Sequence, residues 1–332
     1  MARVPVAAAL TLSLAASLAG LAACGTGEQR VAATTTDATA HPVVALGQAR
    51  TILDSVDASL VQGAQVGTAA GFGARVIGPF REITLARQKE DAARKVRPVA
   101  PSAVDRVRLL VPISSSWPRF FVAVGSPSGQ ATYVLRLLQS PSPRSPYGLW
   151  AELTMPPAAT LPEIAAATQG AALVAPDATG LMASPREVVA HYADLLTRGD
   201  ASTWAKQFGR NTYTDQVLST VATDRKHVAG VAEITSQHKP GTEGPFAIRT
   251  ADGGALVIGE LRQEYMVKVK KGGRSVNVGD AKLAALAGGK ARFSSYFRRN
   301  AVEVIAFYVP PAGQGTITVV AAEKGDVSAV AK

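Results

Sequence analysis

The sequence predicts an α+β protein built as two tandem domains, each a helix followed by an antiparallel sheet. Three observations predict it. Apolar residues recur at three- and four-residue spacing in Ala49, Ile52, Leu53, Val56 and Leu60, and again in Val188, Val189, Tyr192, Leu195 and Leu196. Each set marks one buried face of a helix. Downstream of each lie short β-like runs parted by Ser, Pro and Gly. Finally, the helical faces match at a constant offset of 136, with Ile52, Leu53, Val56, Leu60 and Gly63 falling on Val188, Val189, Tyr192, Leu196 and Gly199. The 332 residues are 47% apolar and only 18% charged, which supports a buried core and excludes a largely disordered chain.

The chain opens with the basic start Met1-Ala2-Arg3 and an uncharged Ala/Leu run, Val4–Ala23. Small residues then precede Cys24, the single cysteine. This order is that of a secretory signal. A retained membrane helix is the competing reading, because about 20 apolar residues suffice to span, although Pro5, Thr11, Ser13, Ser17 and Gly20 make this run weakly hydrophobic. One cysteine excludes an intrachain disulfide and a Cys-based zinc site. Leu21-Ala22-Ala23-Cys24 resembles the lipobox of bacterial lipoproteins. The resemblance implies cleavage between Ala23 and Cys24, and a diacylglycerol thioether on the Cys24 sulfur that anchors the chain on the extracytoplasmic face of the cell membrane. Two long acyl chains hold where one is reversible. The expected organisation is a signal peptide at 1–23, a flexible polar tether at 24–43, a first domain at 44–180 and a second at 184–332.

Within the first domain the helix is expected over Val44–Gln62 with Gly63 as its stop, then a second helix near Ile83–Lys95. Strands follow at Arg119–Val124, Thr132–Leu138 and Leu149–Thr154. The second domain opens on Ser184-Pro185-Arg186-Glu187, a capping box with Pro at the first helical position, and its helix stops at Gly199. A further helix near Thr212–Ala222 precedes strands at Val231–Gln237, Phe246–Thr250, Ala255–Lys270, Val302–Tyr308 and Thr316–Ala322, with a hairpin turn at Asp252-Gly253-Gly254. Two further matches extend the repeat: Met155-Pro156-Pro157 on Val309-Pro310-Pro311, and Gly170–Gly180 on Gly315–Gly325. They require insertions, one in the Gly/Lys-rich stretch 271–290 and one at 161–168, the latter read as an extra helical turn.

In element order each domain resembles the cystatin-like and NTF2-like folds, in which a curved sheet wraps a helix. With its Leu21–Cys24 lipobox, its Ser184–Glu187 helix start and its two Pro-Pro strand ends, the whole chain is similar to the uncharacterised two-domain lipoproteins of actinobacteria. That family carries no assigned activity, so the resemblance implies a location and no chemistry.

Motifs of catalysis are sparse. The sequence has no Gly-x-Ser-x-Gly elbow, no Ser-x-x-Lys with a Lys-Thr-Gly, and no phosphate-binding loop. Gly71–Gly78 is glycine-rich without the dinucleotide fingerprint, and is read as a flexible loop. His191 and Asp194, three apart on a helix, could share a face as a base dyad, against the plainer reading of a border histidine. His227 and His238 sit in polar, loop-like contexts without metal-ligand spacing. No enzyme, metal or cofactor is therefore expected. Trp117, Trp150 and Trp204 read as ordinary core usage, with Trp117 in a loop the one candidate for stacking.

The charge pattern carries the functional expectation. The net charge of +10 falls by one when Arg3 leaves with the signal. A first basic cluster, Arg87, Lys89, Arg94, Lys95, Arg97, Arg106 and Arg108, is diluted by Glu90, Asp91 and Asp105. The second, Lys268, Lys270, Lys271, Arg274, Lys282, Lys290, Arg292, Arg298 and Arg299, is opposed by Asp280 alone. Near an anionic membrane each Lys or Arg contributes about 1 kcal/mol. The expected function is a non-catalytic envelope protein that binds anionic lipid, wall polymer or an envelope protein through its second domain; nucleic acid is excluded by export. The alternative is a small-molecule carrier or sensor using an NTF2-like pocket.

Overall fold

The structure, a computed structural model, describes residues 40–332 except Ala100, Pro101 and Ala158. The expected signal peptide, the Ala23–Cys24 site and most of the tether lie outside the described residues. The last tether residues do not hang free: Val43 N–H donates to the Pro112 carbonyl at 3.0 Å, and Ser114 N–H to that of His41 at 3.1 Å. Val43 and Val44 are buried.

The architecture is α+β, as expected. The first half holds helices α1 (Leu46–Val66) and α2 (Gly78–Ala93), then strands β1 (Val104–Leu110), β2 (Pro112–Ile113), β3 (Arg119–Pro127), β4 (Val134–Ser140), β5 (Gly148–Thr154) and β6 (Ala171–Ala172). The second half holds α3 (Pro185–Arg198), α4 (Thr212–Val228), β7 (Ala232–Pro240), β8 (Phe246–Arg249), β9 (Ala255–Val269), β10 (Val276–Asn277), α5 (Ala281–Leu286), β11 (Arg292–Phe293), β12 (Tyr296–Val309) and β13 (Thr318–Ala331).

Local chemistry explains several boundaries. Helix α1 runs past Gly63, the expected stop, because Gly63 faces inward and the Phe72 ring packs where a side chain would stand. The helix ends instead at Gly67, whose φ of 69° is the left-handed conformation glycine adopts freely. The box at Ser184 forms as expected: Glu187 N–H donates to Ser184 Oγ at 3.3 Å, and Ser184 N–H to Glu187 Oε2 at 2.8 Å. Strand β1 was hidden by its charges (Asp105 and Arg108 among them), which suit its place at the sheet edge.

All pairings in the main sheet are antiparallel, in the order β1-β3-β4-β5-β13-β12-β9-β7, with β8 pairing β9 beside that path. Each half is thus two helices followed by a four-stranded meander, β1-β3-β4-β5 and β7-β9-β12-β13. The meanders join last strand to last strand, through the single pair Thr154–Ala322. Helix α2 ties the halves together. Its Ile83 packs in one core with Trp150, Val302 and Val304. Its Glu82 takes a bidentate pair from Arg262 of β9, at 2.6 and 2.8 Å, and its Arg87 reaches Glu323 of β13 at 2.5 Å. The described residues of 40–332 form one compact unit.

The α1–α3 match at offset 136 has its counterpart in the topology; the other two matches do not. The Pro-Pro pairs end β5 and β12, which occupy different places in their meanders, and Gly170–Gly180 holds β6 where Gly315–Gly325 holds β13. Residues 161–168 form no helix; Ile164 is buried and the Glu163 carbonyl accepts from Ala251 N–H at 2.8 Å. Gly71–Gly78 likewise is no open loop. Ala69–Arg75 forms 3-10 turns with Phe72 buried, and Gly78 opens α2.

Candidate functional site

The candidate site lies where β9 leaves the sheet and β12 returns. Residues 270–295 form an arm in which β10 and β11 pair and Asp280 caps α5, accepting from Lys282 N–H at 2.6 Å and Leu283 N–H at 3.1 Å. Strand register fixes which side chains face the arm. Ile234, Val267 and Phe297 lie side by side across β7, β9 and β12; one step along the same face come Ser236, Tyr265 and Arg299. The last turn of α4 supplies Asp224, His227 and Val228. Together with the arm these enclose a cavity of about 520 Å³, walled further by Val276, Val278, Leu283 and Phe293. That volume, with apolar walls interrupted by Asp224, His227, Asn277, Asp280 and Arg299, is that of a small-molecule site.

The polar groups at its inner end are mutually engaged. The Tyr265 hydroxyl donates to Asp224 Oδ2 at 2.7 Å, the Arg299 guanidinium lies 4.5 Å from the centre of the Tyr265 ring, and Arg299 pairs with Asp326 at 3.1 Å. Burial and the neighbouring Asp224 carboxylate push the Tyr265 hydroxyl up, so it is a neutral donor.

Deeper along the same face the register brings together His238, Gln263, Glu303 and Lys324. Glu303 and His238 are fully buried, 3.5 Å apart, at the outer limit of a hydrogen bond. Lys324 Nζ is nearer, 3.1 Å from Glu303, and donates to Gln263 Oε1 at 2.6 Å; the Gln263 amide donates to Ser236 Oγ at 2.9 Å. Burial alone raises the Glu303 carboxyl. The His238 contact and the Lys324 charge outweigh it and hold the group below its ordinary range. His238 is therefore a core residue of β7, not the loop residue its neighbours suggested.

The nine basic residues gather at this end of the molecule but do not share one face. Arg298 and Arg299 are consecutive on β12 and point to opposite sides: Arg298 to Glu264 at 3.9 Å, Arg299 inward. The other seven, Lys268, Lys270, Lys271, Arg274, Lys282, Lys290 and Arg292, are exposed. None has an acidic side chain within 4 Å among the described residues. Lys270 donates to the Ala229 carbonyl at 2.7 Å and Arg292 to the Ser275 hydroxyl at 3.0 Å.

The other candidates separate. His191 Nδ1 meets Gln207 Oε1 at 2.9 Å while its ring stacks on Trp204 at 3.6 Å; Asp194 accepts from Ser202 at 2.6 Å and faces Arg198 at 3.7 Å. The two do not act on each other. Trp150 is core, whereas Trp117 is 38% exposed beneath the Arg119 guanidinium. His227 lines the 520 Å³ cavity. Among the described residues no group of three metal-binding side chains converges, and no helix is long and apolar enough to cross a membrane. Sequence reasoning passed over Tyr265, Asp224, Glu303 and Lys324. The signal that could have found Glu303 is a lone carboxylate inside the apolar run Val302–Phe307.

No curated protein and no solved structure shows significant similarity to the chain. Residues 40–329 match the family model described as domain of unknown function DUF8094, a span that takes in both helix-and-meander halves and the arm. On that match the chain belongs to the DUF8094 family.

Proposed function

We propose that this protein is a lipid-anchored, extracytoplasmic binding protein without catalytic activity, and that the arm end of its second half holds an anionic component of the cell envelope. The observation that carries the reading is the set of seven exposed cations of 268–292, none of which has an acidic side chain within 4 Å among the described residues. Unpaired surface cations keep their charge available to a partner, while paired ones such as Arg299 do not. The anchor on Cys24 places that surface near acidic headgroups and wall polymers. The cystatin-like or NTF2-like likeness belongs to this reading, supported by two helices preceding four antiparallel strands in each half.

The test is co-sedimentation with phosphatidylglycerol vesicles and with immobilised inorganic polyphosphate. Binding is expected to both, and to fall as salt is raised well past 0.1 M, where the screening length is about 10 Å. Absence of binding to either at low salt overturns the reading. A second reading, carriage of a small molecule, is favoured by the half-enclosed cavity beside the same arm.

A further inference from the structure

We propose that the 520 Å³ cavity takes the apolar tail of an anionic amphiphile (a single-chain fatty acid or lyso-lipid) with its head at the cationic rim. The proposal rests on the anionic-partner reading above and names the ligand class for that same end of the molecule. Two features specify an apolar tail. Much of the floor and walls is aliphatic and aromatic, Ile234, Val267, Val276, Leu283, Phe293 and Phe297, with His227, Asn277 and Asp280 set among them. The polar groups at the inner end already satisfy one another, Tyr265 with Asp224 and Arg299 with Asp326. Asn277 and Asp280 are likewise engaged, by Gly279 N–H and by the first amides of α5; a tail that offers no hydrogen bonds leaves these pairs intact, whereas a polar ligand would have to displace them.

Two further features specify the anionic head. Arg274, Lys282 and Arg292 are exposed and stand within two residues of the lining residues Val276, Leu283 and Phe293. None has an acidic side chain within 4 Å among the described residues; the nearest carboxylate on the arm, Asp280, is engaged in capping α5. An apolar pocket with a cationic border is complementary to an amphiphile, and a neutral apolar molecule would leave the border unused. A purely polar polymer would leave the walls unfilled. The shared chemistry, one tail and one anionic head, admits a free carboxylate or a lipid phosphate.

The test uses residues 40–332, the compact unit, freed of bound lipid. The probes are oleate, lysophosphatidylglycerol and neutral monoolein, read by native mass spectrometry and by displacement of a fluorescent fatty acid. A one-to-one complex with oleate, lysophosphatidylglycerol or both is expected, with monoolein at least tenfold weaker; which anion binds identifies the source of the head. Val276→Trp, which fills the cavity, should weaken anionic binding at least tenfold while leaving polyphosphate binding unchanged. Leu283→Trp repeats the test should the first variant fold poorly by circular dichroism. Combined Arg274→Glu, Lys282→Glu and Arg292→Glu should lower affinity for the anions and spare monoolein. No one-to-one complex with either anion, or binding untouched by both tryptophan variants, overturns the proposal. If polyphosphate binding persists in that case, the surface reading stands alone; if amphiphile binding persists while polyphosphate and vesicle binding are absent, the surface reading fails instead.

Discussion

The two meanders differ most where their second strand turns into their third. In the first half, β3 passes to β4 through residues 128–133, a turn in which Ser128 donates to Asp105 at 2.6 Å and Gln130 N–H to the Pro127 carbonyl at 2.9 Å. At the same place in the second half, β9 passes to β12 through residues 270–295, an arm with its own hairpin and helix. That arm walls the cavity and carries six basic residues against one acidic residue, Asp280. Long connections on a rigid scaffold are where binding surfaces are commonly built. The repeated elements form the frame, and the unrepeated arm walls the cavity on which the proposed binding rests.

The buried charges of the two halves make the same contrast. Arg136 on β4 is 1% exposed and pairs with Asp57 of α1 and Glu152 of β5, each at 2.6 Å. It locks helix to sheet with both carboxylates engaged. Glu303 on β12 is as buried, but its nearest cation is 3.1 Å away and the Tyr213 hydroxyl beside it finds no partner. Removing one member of a buried ion group leaves the others uncompensated, which costs about 3–5 kcal/mol. Arg136→Ala should cost about 4 kcal/mol, because it leaves two carboxylates without their cation; urea unfolding followed by circular dichroism measures it. Glu303→Ala should cost somewhat less, about 3 kcal/mol, since it leaves one cation, Lys324, rather than two carboxylates without a partner. Equal losses would show that the two charge clusters are equivalent, and would break the comparison.

Acid should act on the second half through Glu303. Its folded carboxyl is held below the unfolded value of about 4.3. A depressed carboxyl contributes stability that is fully present above the unfolded value and is lost as pH falls through the lowered folded one. Unfolding midpoints measured from neutral pH down to about pH 3 should therefore drop below roughly pH 4.5. In Glu303→Gln that drop should be shallower. A profile unchanged by the substitution would show that other carboxylates dominate. The smallest effect belongs to the frame: Ser184→Ala removes the α3 cap and should cost about 1 kcal/mol, with no change in binding.

Much of the frame was legible in the sequence, because helices with one apolar face and strands bounded by Gly, Pro and Ser declare themselves locally. The Ser184 box and the Gly199 stop are set by their neighbours alone. What was not legible depends on partners distant in sequence. Strand β13 continues through Glu323-Lys324-Gly325-Asp326, past its expected end at Ala322, because β12 pairs it along this length and Glu303 receives Lys324. Likewise β12 begins at Tyr296, not Val302; its Arg298 and Arg299 read as surface until register sends one to each face. The basic cluster was visible as composition. The cavity beneath it was not, since Asp224, Tyr265 and Phe297 come together only when α4, β9 and β12 pack.

In the proposed reading the arm, not the shared frame, confers binding. The direct measurement replaces residues 270–295 with residues 128–133 in the 40–332 unit and titrates phosphatidylglycerol vesicles and polyphosphate at low salt. Loss of the arm's six cations, at about 1 kcal/mol each near an anionic surface, should weaken binding more than a hundredfold while circular dichroism retains the helices and sheet. Binding retained within a fewfold of the parent would place the anionic site elsewhere and contradict the account.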